Sequence, residues 1–213
     1  RLTPMGIAWD KIARTAIMAD ADWREGEYEP GSGPGKGLSV ARMIAHITYL
    51  CGPIMWEKFG RRVRDRGQLL EDITARFEVE SYLDHQGQKF VDRFDANSYM
   101  YLSRMMDLYD ASRGYPDLTT ALERLQTKCL LICFISDWLF PPHCSIEIAE
   151  NLQKIGHEVE LHNVESTYGH DAFLVQYDQL TRIVGDFMKR LEENAPIGID
   201  AMAIPPEARR FIF

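Results

Sequence analysis

Two short runs decide what this chain can become. "TKCLLICFIS", residues 127 to 136, is an unbroken apolar, β-branched and aromatic stretch of strand length, the pattern of a strand covered on both faces. "EVELHNVE", residues 158 to 165, is the second such run, and a helical pattern over about 144 to 155 lies between them. A longer helical pattern, "AFLVQYDQLTRIVGDFMKRLEE", follows from residue 172 to about 192. The order strand, loop, helix, strand, loop, helix is that of a parallel sheet with crossover helices, so an α/β fold is expected. Two parallel strands make too small a sheet to stand alone, and the sheet is therefore expected to be incomplete.

Up to about residue 125 the chain reads as almost all helix. Apolar residues recur at helical spacing over 4 to 19, after Pro4 at a plausible start. "EGEYEPGSGPGKG", 25 to 37, is a Gly/Pro connector, and helices are expected over 38 to 52, 53 to 73 (interrupted near Gly60 or Gly67), 79 to 94 and 95 to 110. Asp95 is placed to cap the last of these, its carboxylate accepting from first-turn N–H groups. Three regions follow: a helical subdomain over 1–125, an α/β segment over 126–193, and an irregular tail over 194–213.

Composition narrows the function. With 24 basic and 32 acidic residues the net charge is −8, which argues against phosphate-backbone binding and hence against a nucleic-acid partner. No 18-residue uncharged apolar stretch occurs, so no membrane span is expected, and the N-terminal segment lacks the pattern of a signal peptide. The first residue is Arg rather than Met, compatible with a processed or partial chain. The four cysteines form no CxxC pair, and two lie inside the first strand run as small hydrophobes. A reduced, cytoplasmic protein without structural metal is expected. His46, His85, His143, His157 and His162 show no metal-ligand spacing, and the basic run 61 to 66 reads as a solvated helix face, with attraction of a polyphosphate as the less favoured role. The Met and Tyr positions of "SYMYLSRMMDLY" fall at helical spacing, suited to core or to a subunit contact.

Chemistry points to the loops after the two strands. Asp137 follows the first strand and His170, in "STYGHDAF", follows the second. Functional groups collect at the carboxyl edge of parallel sheets, so neighbouring strands would bring these loops together. A carboxylate there accepts from one imidazole nitrogen, fixing the tautomer while the other nitrogen handles a proton. Acid then histidine, each after a strand, is the second half of the Ser…Asp…His order of α/β-hydrolases. Plainer roles compete: Asp137 as a turn residue before two prolines, and His170 as a structural cap on the closing helix.

"ISDWLFPP", "YGHDAFL", "DANSYMYLSRMMDLYD", "RMIAHITYL" and "ARTAIMADADW" together resemble homoserine O-acetyltransferases over about residues 5 to 190. The resemblance implies the C-terminal part of an α/β-hydrolase fold preceded by a helical lid. It implies acetyl transfer from acetyl-CoA to the hydroxyl of L-homoserine, a step of methionine biosynthesis, by a ping-pong mechanism through an acyl-serine. Acetyl-CoA would then be a substrate, with no bound cofactor, and the lid helices would form a homodimer contact. By similarity Asp137 and His170 are the triad acid and base. Arg42 is the arginine for the substrate carboxylate and Asp171 the carboxylate for its amino group. Homoserine is a zwitterion, so a bidentate Arg42 contact and an Asp171–ammonium contact would orient it. Without the resemblance, Arg42 reads as a snorkelling surface residue and Asp171 as an N-cap.

The nucleophile elbow, G-x-S-x-G, does not occur in these 213 residues. Ser32 lies in the Gly/Pro connector with no strand before it, and the P-loop spacing is not met either. The chain is therefore read as lid plus C-terminal segment, inactive alone, the serine and oxyanion hole coming from elsewhere. A succinyl donor, a serine acceptor, a hydrolase, or a pure association module are the competing readings.

Overall fold

The computed structural model describes residues 1–64 and 76–193. They divide into two compact units, one within Arg1–Tyr109 and one from Asp110 onward.

The first unit is helical. Helices α1 (Pro4–Ala19), α2 (Gly35–Tyr49), α3 (Gly52–Phe59), α4 (Glu78–Val91) and α5 (Ala96–Leu108) follow in order. Local chemistry sets their starts. Thr3 Oγ1 accepts from Gly6 N at 3.1 Å ahead of Pro4, and Asp95 Oδ2 accepts from Ser98 N at 2.7 Å, the cap expected from the sequence. The core joins Ala13 and Ile17 of α1, Leu38 and Ala41 of α2, Phe90 of α4 and Ala96 of α5. A fully buried side chain such as Ile17 contributes roughly 1.5–3 kcal/mol. Small residues let the helices approach: a Cβ on Gly37 would sit 2.5 Å from the Ala16 carbonyl oxygen, backbone that cannot swing aside.

Two titratable groups in this unit pull stability in opposite directions with pH. Burial first, then hydrogen bonding and charge from Asp107, push Asp10 up to about 6, with Arg14 working against them. Burial first, then the charges of Arg42, Arg93 and Lys58, push His46 down to about 4. A carboxyl raised in the folded chain holds a proton that the unfolded chain has released. Asp10 therefore favours folding below about 4, and this is lost as pH rises through about 6. The lowered imidazole does the reverse: its contribution is full above about 6.5 and is lost as pH falls through about 4. Between these limits the slopes offset each other. We expect Asp10→Asn to raise the melting temperature at neutral pH and to steepen the loss on acidification, because His46 then acts unopposed. Melts of both chains from pH 4 to pH 8 that run parallel would show that Asp10 is not the opposing group.

The second unit carries the sheet. A five-residue helix α6 (Leu118–Leu122), capped by Asp117, precedes β1 (Cys129–Phe134), α7 (Pro142–Lys154), β2 (Val159–Val164), α8 (Ala172–Val175) and α9 (Tyr177–Glu192). The strands pair in parallel, Cys129 opposite Val159 through Phe134 opposite Val164. Alternation divides their side chains. Leu131, Cys133, Val159 and Leu161 pack with Ile146, Ala149 and Leu152 of α7, whereas Ile132, Phe134 and Val164 pack with Ala172, Leu180 and Ile183. Glu160 is buried on the strand phase of Val164, held by Arg190 Nη2 and His162 Nε2, each 2.5 Å from its Oε1. The α/β arrangement with an incomplete sheet is as expected: among the described residues the sheet has two strands.

Several boundaries differ from the sequence reading. α2 begins at Gly35, inside the expected connector, and α3 stops at Phe59, where Gly60 takes φ +52°. The expected continuation to residue 73 falls largely outside the described residues, as does the tail 194–213. α6 was not expected, being barely longer than a turn. α7 starts at Pro142 rather than near 144, proline suiting a first helical position. The closing helix breaks at Gln176 (φ −97°, ψ 54°), although the apolar periodicity runs through it. No single described helix is long and apolar enough to cross a membrane.

Candidate active site

β1 ends at Phe134 and its backbone turns at once, the Asp137 N–H donating to the Phe134 carbonyl at 3.0 Å. That turn buries the Asp137 carboxylate, and its two oxygens divide the work. Oδ1 accepts from the N–H groups of Leu139 at 3.0 Å and Phe140 at 2.9 Å, which fixes the carboxylate plane. Oδ2 lies 2.9 Å from His170 Nδ1. Three donors on one buried carboxylate offset the cost of removing its charge from water. A turn residue needs only the first two contacts; the third joins the two strand-end loops.

His170 sits in a single 3-10 turn, Gly169–Asp171, between β2 and α8. Gly169, at φ +66°, takes the left-handed conformation that other residues resist, and so turns the chain back towards β1. The imidazole is flanked by Phe140 at 5.2 Å and Phe173 at 5.6 Å between ring centroids. It is therefore gripped on apolar sides while about a quarter of its side chain is exposed. Nδ1 is directed at Asp137, and in a general base held this way proton exchange with a reacting group passes through the other ring nitrogen.

Cys133, four residues before Asp137, is not a substitute nucleophile. Its thiol is buried and donates to Asn163 Oδ1 at 2.7 Å, and burial, then the Asp137 charge, push it up to about 11. A thiol held protonated is a poor nucleophile. Among the described residues no group of three His, Cys, Asp or Glu side chains is placed to hold a metal ion.

Asp171 follows His170 in the same turn and stands at the N-cap position of α8, without a side-chain cap hydrogen bond. Arg42 belongs to the first unit, on α2. Its guanidinium lies 4.8 Å above the Phe90 ring and 5.4 Å from the Tyr49 ring centre, and Nη1 donates to the Tyr49 hydroxyl at 3.3 Å. Both rings lie within cation–π range of the guanidinium, so the side chain packs on aromatic surface. Tyr49 was not singled out in the sequence. Its spacing of seven from Arg42, two helical turns on the same face, was the available signal. His46, one turn after Arg42, is a packed histidine instead, its Nδ1 3.0 Å from the Tyr82 hydroxyl.

No protein-family model matches the chain. Curated proteins do. The homoserine O-acetyltransferase of Geobacter sulfurreducens is 44% identical over 194 residues, covering 91% of this chain and 52% of that protein. That of Pelagibacter ubique is 46% identical over 185 residues, covering 86% of this chain and 50% of that protein. The chain thus spans about half the length of the curated relatives it matches. Among solved structures, the homoserine O-acetyltransferase of Bacillus anthracis superposes with a TM-score of 0.82 at 24% identity, over 89% of this chain and 51% of that one. Esterase E22 follows with a TM-score of 0.75 at 21% identity, a likeness of fold. Over the segment it spans, the chain is similar to the homoserine O-acetyltransferases and shares part of an α/β-hydrolase fold with them.

Proposed function

We propose that this chain supplies the base and its acid partner, His170 and Asp137, to an enzyme that moves an acetyl group from acetyl-CoA to the hydroxyl of L-homoserine. The 2.9 Å Nδ1–Oδ2 pair, built from two loops at one sheet edge, is the observation that carries this reading. A serine hydroxyl from outside these residues attacks the thioester carbonyl and passes its proton to His170 Nε2. The CoA thiolate leaves and takes that proton. The homoserine hydroxyl then attacks the acyl-serine, giving its proton to the same nitrogen, and the serine leaves reprotonated. Asp137 stabilises the imidazolium in both halves. No metal or tightly bound cofactor enters this scheme.

Arg42 is assigned to the homoserine carboxylate and Asp171 to its ammonium group. The aromatic mounting of Arg42 supports a preorganised fork for a planar anion. The helical unit is assigned to homodimer contact. Tyr101, Met105 and Tyr109 of the α5 segment are 74%, 66% and 64% exposed at spacings of four, an apolar stripe of the kind an interface covers. A cytoplasmic location fits a CoA-dependent reaction.

The test joins the part of the Geobacter sulfurreducens homoserine O-acetyltransferase that the match does not cover to this chain. CoA release is then followed with acetyl-CoA or succinyl-CoA, and with homoserine or serine. The chain alone should show no transfer, and the chimera should work best with acetyl-CoA and homoserine. Arg42→Lys should raise the homoserine KM by roughly tenfold or more, because an ammonium cannot form the bidentate contact. CoA release that is indifferent to any hydroxy amino acid would mean a hydrolase and sink the assignment.

A further inference from the structure

We propose that Ser136 is a positioning residue for His170, acting through a hydroxyl clamp that locks the His170 loop to the Asp137 loop. This rests on the reading of His170 and Asp137 given above and adds a third member to their geometry. Ser136 Oγ accepts the Gly169 N–H at 2.9 Å. Three successive residues after β1 thus bind the last residue of β2 and two residues beyond it: the Ile135 N–H donates to the Val164 carbonyl at 3.0 Å, Ser136 takes Gly169, and Asp137 takes His170. The first contact extends the strand ladder. The second holds the residue immediately before the histidine.

Gly169 explains why a side-chain hydroxyl is needed there. Gly169 is buried and lies five residues beyond the end of β2, so its N–H has no strand ladder to donate to. A buried N–H without an acceptor is costly, and the Ser136 hydroxyl supplies the acceptor. The same bond fixes where the 3-10 turn begins, and hence where the imidazole stands relative to Asp137 Oδ2. Asp137 orients the ring from its nitrogen, whereas Ser136 places the backbone that carries the ring.

The experiment uses the 15N-labelled full chain and reads the imidazole nitrogens of His170 by long-range 1H–15N NMR at alkaline pH. In the native chain Nδ1 should carry the proton, with its resonance well separated from that of Nε2. In Ser136→Ala the two should move together, towards the averaged values of an unconstrained imidazole. Ser136→Thr, which keeps the hydroxyl, should restore the separation. A merely structural serine would lower the melting temperature without moving these resonances, so a folded alanine chain with unchanged His170 shifts overturns the proposal. Should the alanine chain fail to fold, Ser136→Cys is read instead. Sulfur is a weak acceptor, so partial collapse is expected, and unchanged shifts again overturn the clamp. Asp137→Asn serves as the control: if it leaves the His170 resonances unmoved, the pairing itself is wrong and not merely the clamp.

Discussion

Asparagine in place of Asp137 should cut the turnover of the chimera by on the order of 10⁴-fold while leaving its fold and its homoserine KM close to those of the parent. The argument runs through the two carboxylate oxygens. Oδ1, which takes the Leu139 and Phe140 N–H groups, is retained by asparagine, so the loop after β1 keeps its shape. Oδ2, 2.9 Å from His170 Nδ1, becomes an NH2 donor. A donor there forces Nδ1 to accept, moves the ring proton to Nε2, and leaves the nitrogen facing the substrate unable to take a proton. The negative charge that steadies the imidazolium disappears with it. His170→Ala should cost as much or slightly more. The double variant should be no worse than His170→Ala alone, because residues acting as a unit are not additive. If Asp137→Asn kept more than roughly a tenth of the parental rate, proton transfer would not pass through this pair.

How much of this could be read from the residues alone depends on how local the causes are. The strands showed in β-branched, apolar runs, and the Asp95 cap showed in a single residue before a periodic segment. Asp137 and His170 were readable as a pair because parallel topology places consecutive strand ends at one edge, so chain order stood in for space. The Ser136 contact was not, since nothing in "ISDWLF" says that Gly169 will turn its N–H towards position 136. The mounting of Arg42 was hidden for a similar reason: Tyr49 lies on its own helix face, but Phe90 comes from α4. The break at Gln176 left no trace because apolar spacing on both sides fits one continuous helix. The buried charges of the first unit were equally invisible, pairing residues 93 positions apart.

Those charges give the largest expected effect on stability. Arg14 of α1 donates through Nη1 to Ser103 Oγ at 3.1 Å and through Nη2 to Asp107 Oδ2 at 2.5 Å, both partners on α5. Arg14 and Asp107 are almost completely buried, with side chains 8% and 2% exposed. Arg104 reaches the same Oδ2 at 3.4 Å but is itself mostly in water, so it screens Asp107 only weakly. Arg14→Ala would leave the Asp107 carboxylate buried with that weak partner and with Asp10 beside it. Breaking a buried pair from one side costs about 3–5 kcal/mol, far more than the pair contributes over a well-packed apolar replacement. We expect a loss of that size in urea unfolding of the first unit at pH 7. Arg14→Lys should recover only part of it, because one ammonium cannot span Ser103 and Asp107 as the guanidinium fork does. The loss should shrink as pH falls and Asp10 takes up a proton, and Asp107→Asn added to Arg14→Ala should recover stability at neutral pH. An Arg14→Ala cost below about 1 kcal/mol, independent of pH, would place Asp107 in water and undo this account of the α1–α5 contact.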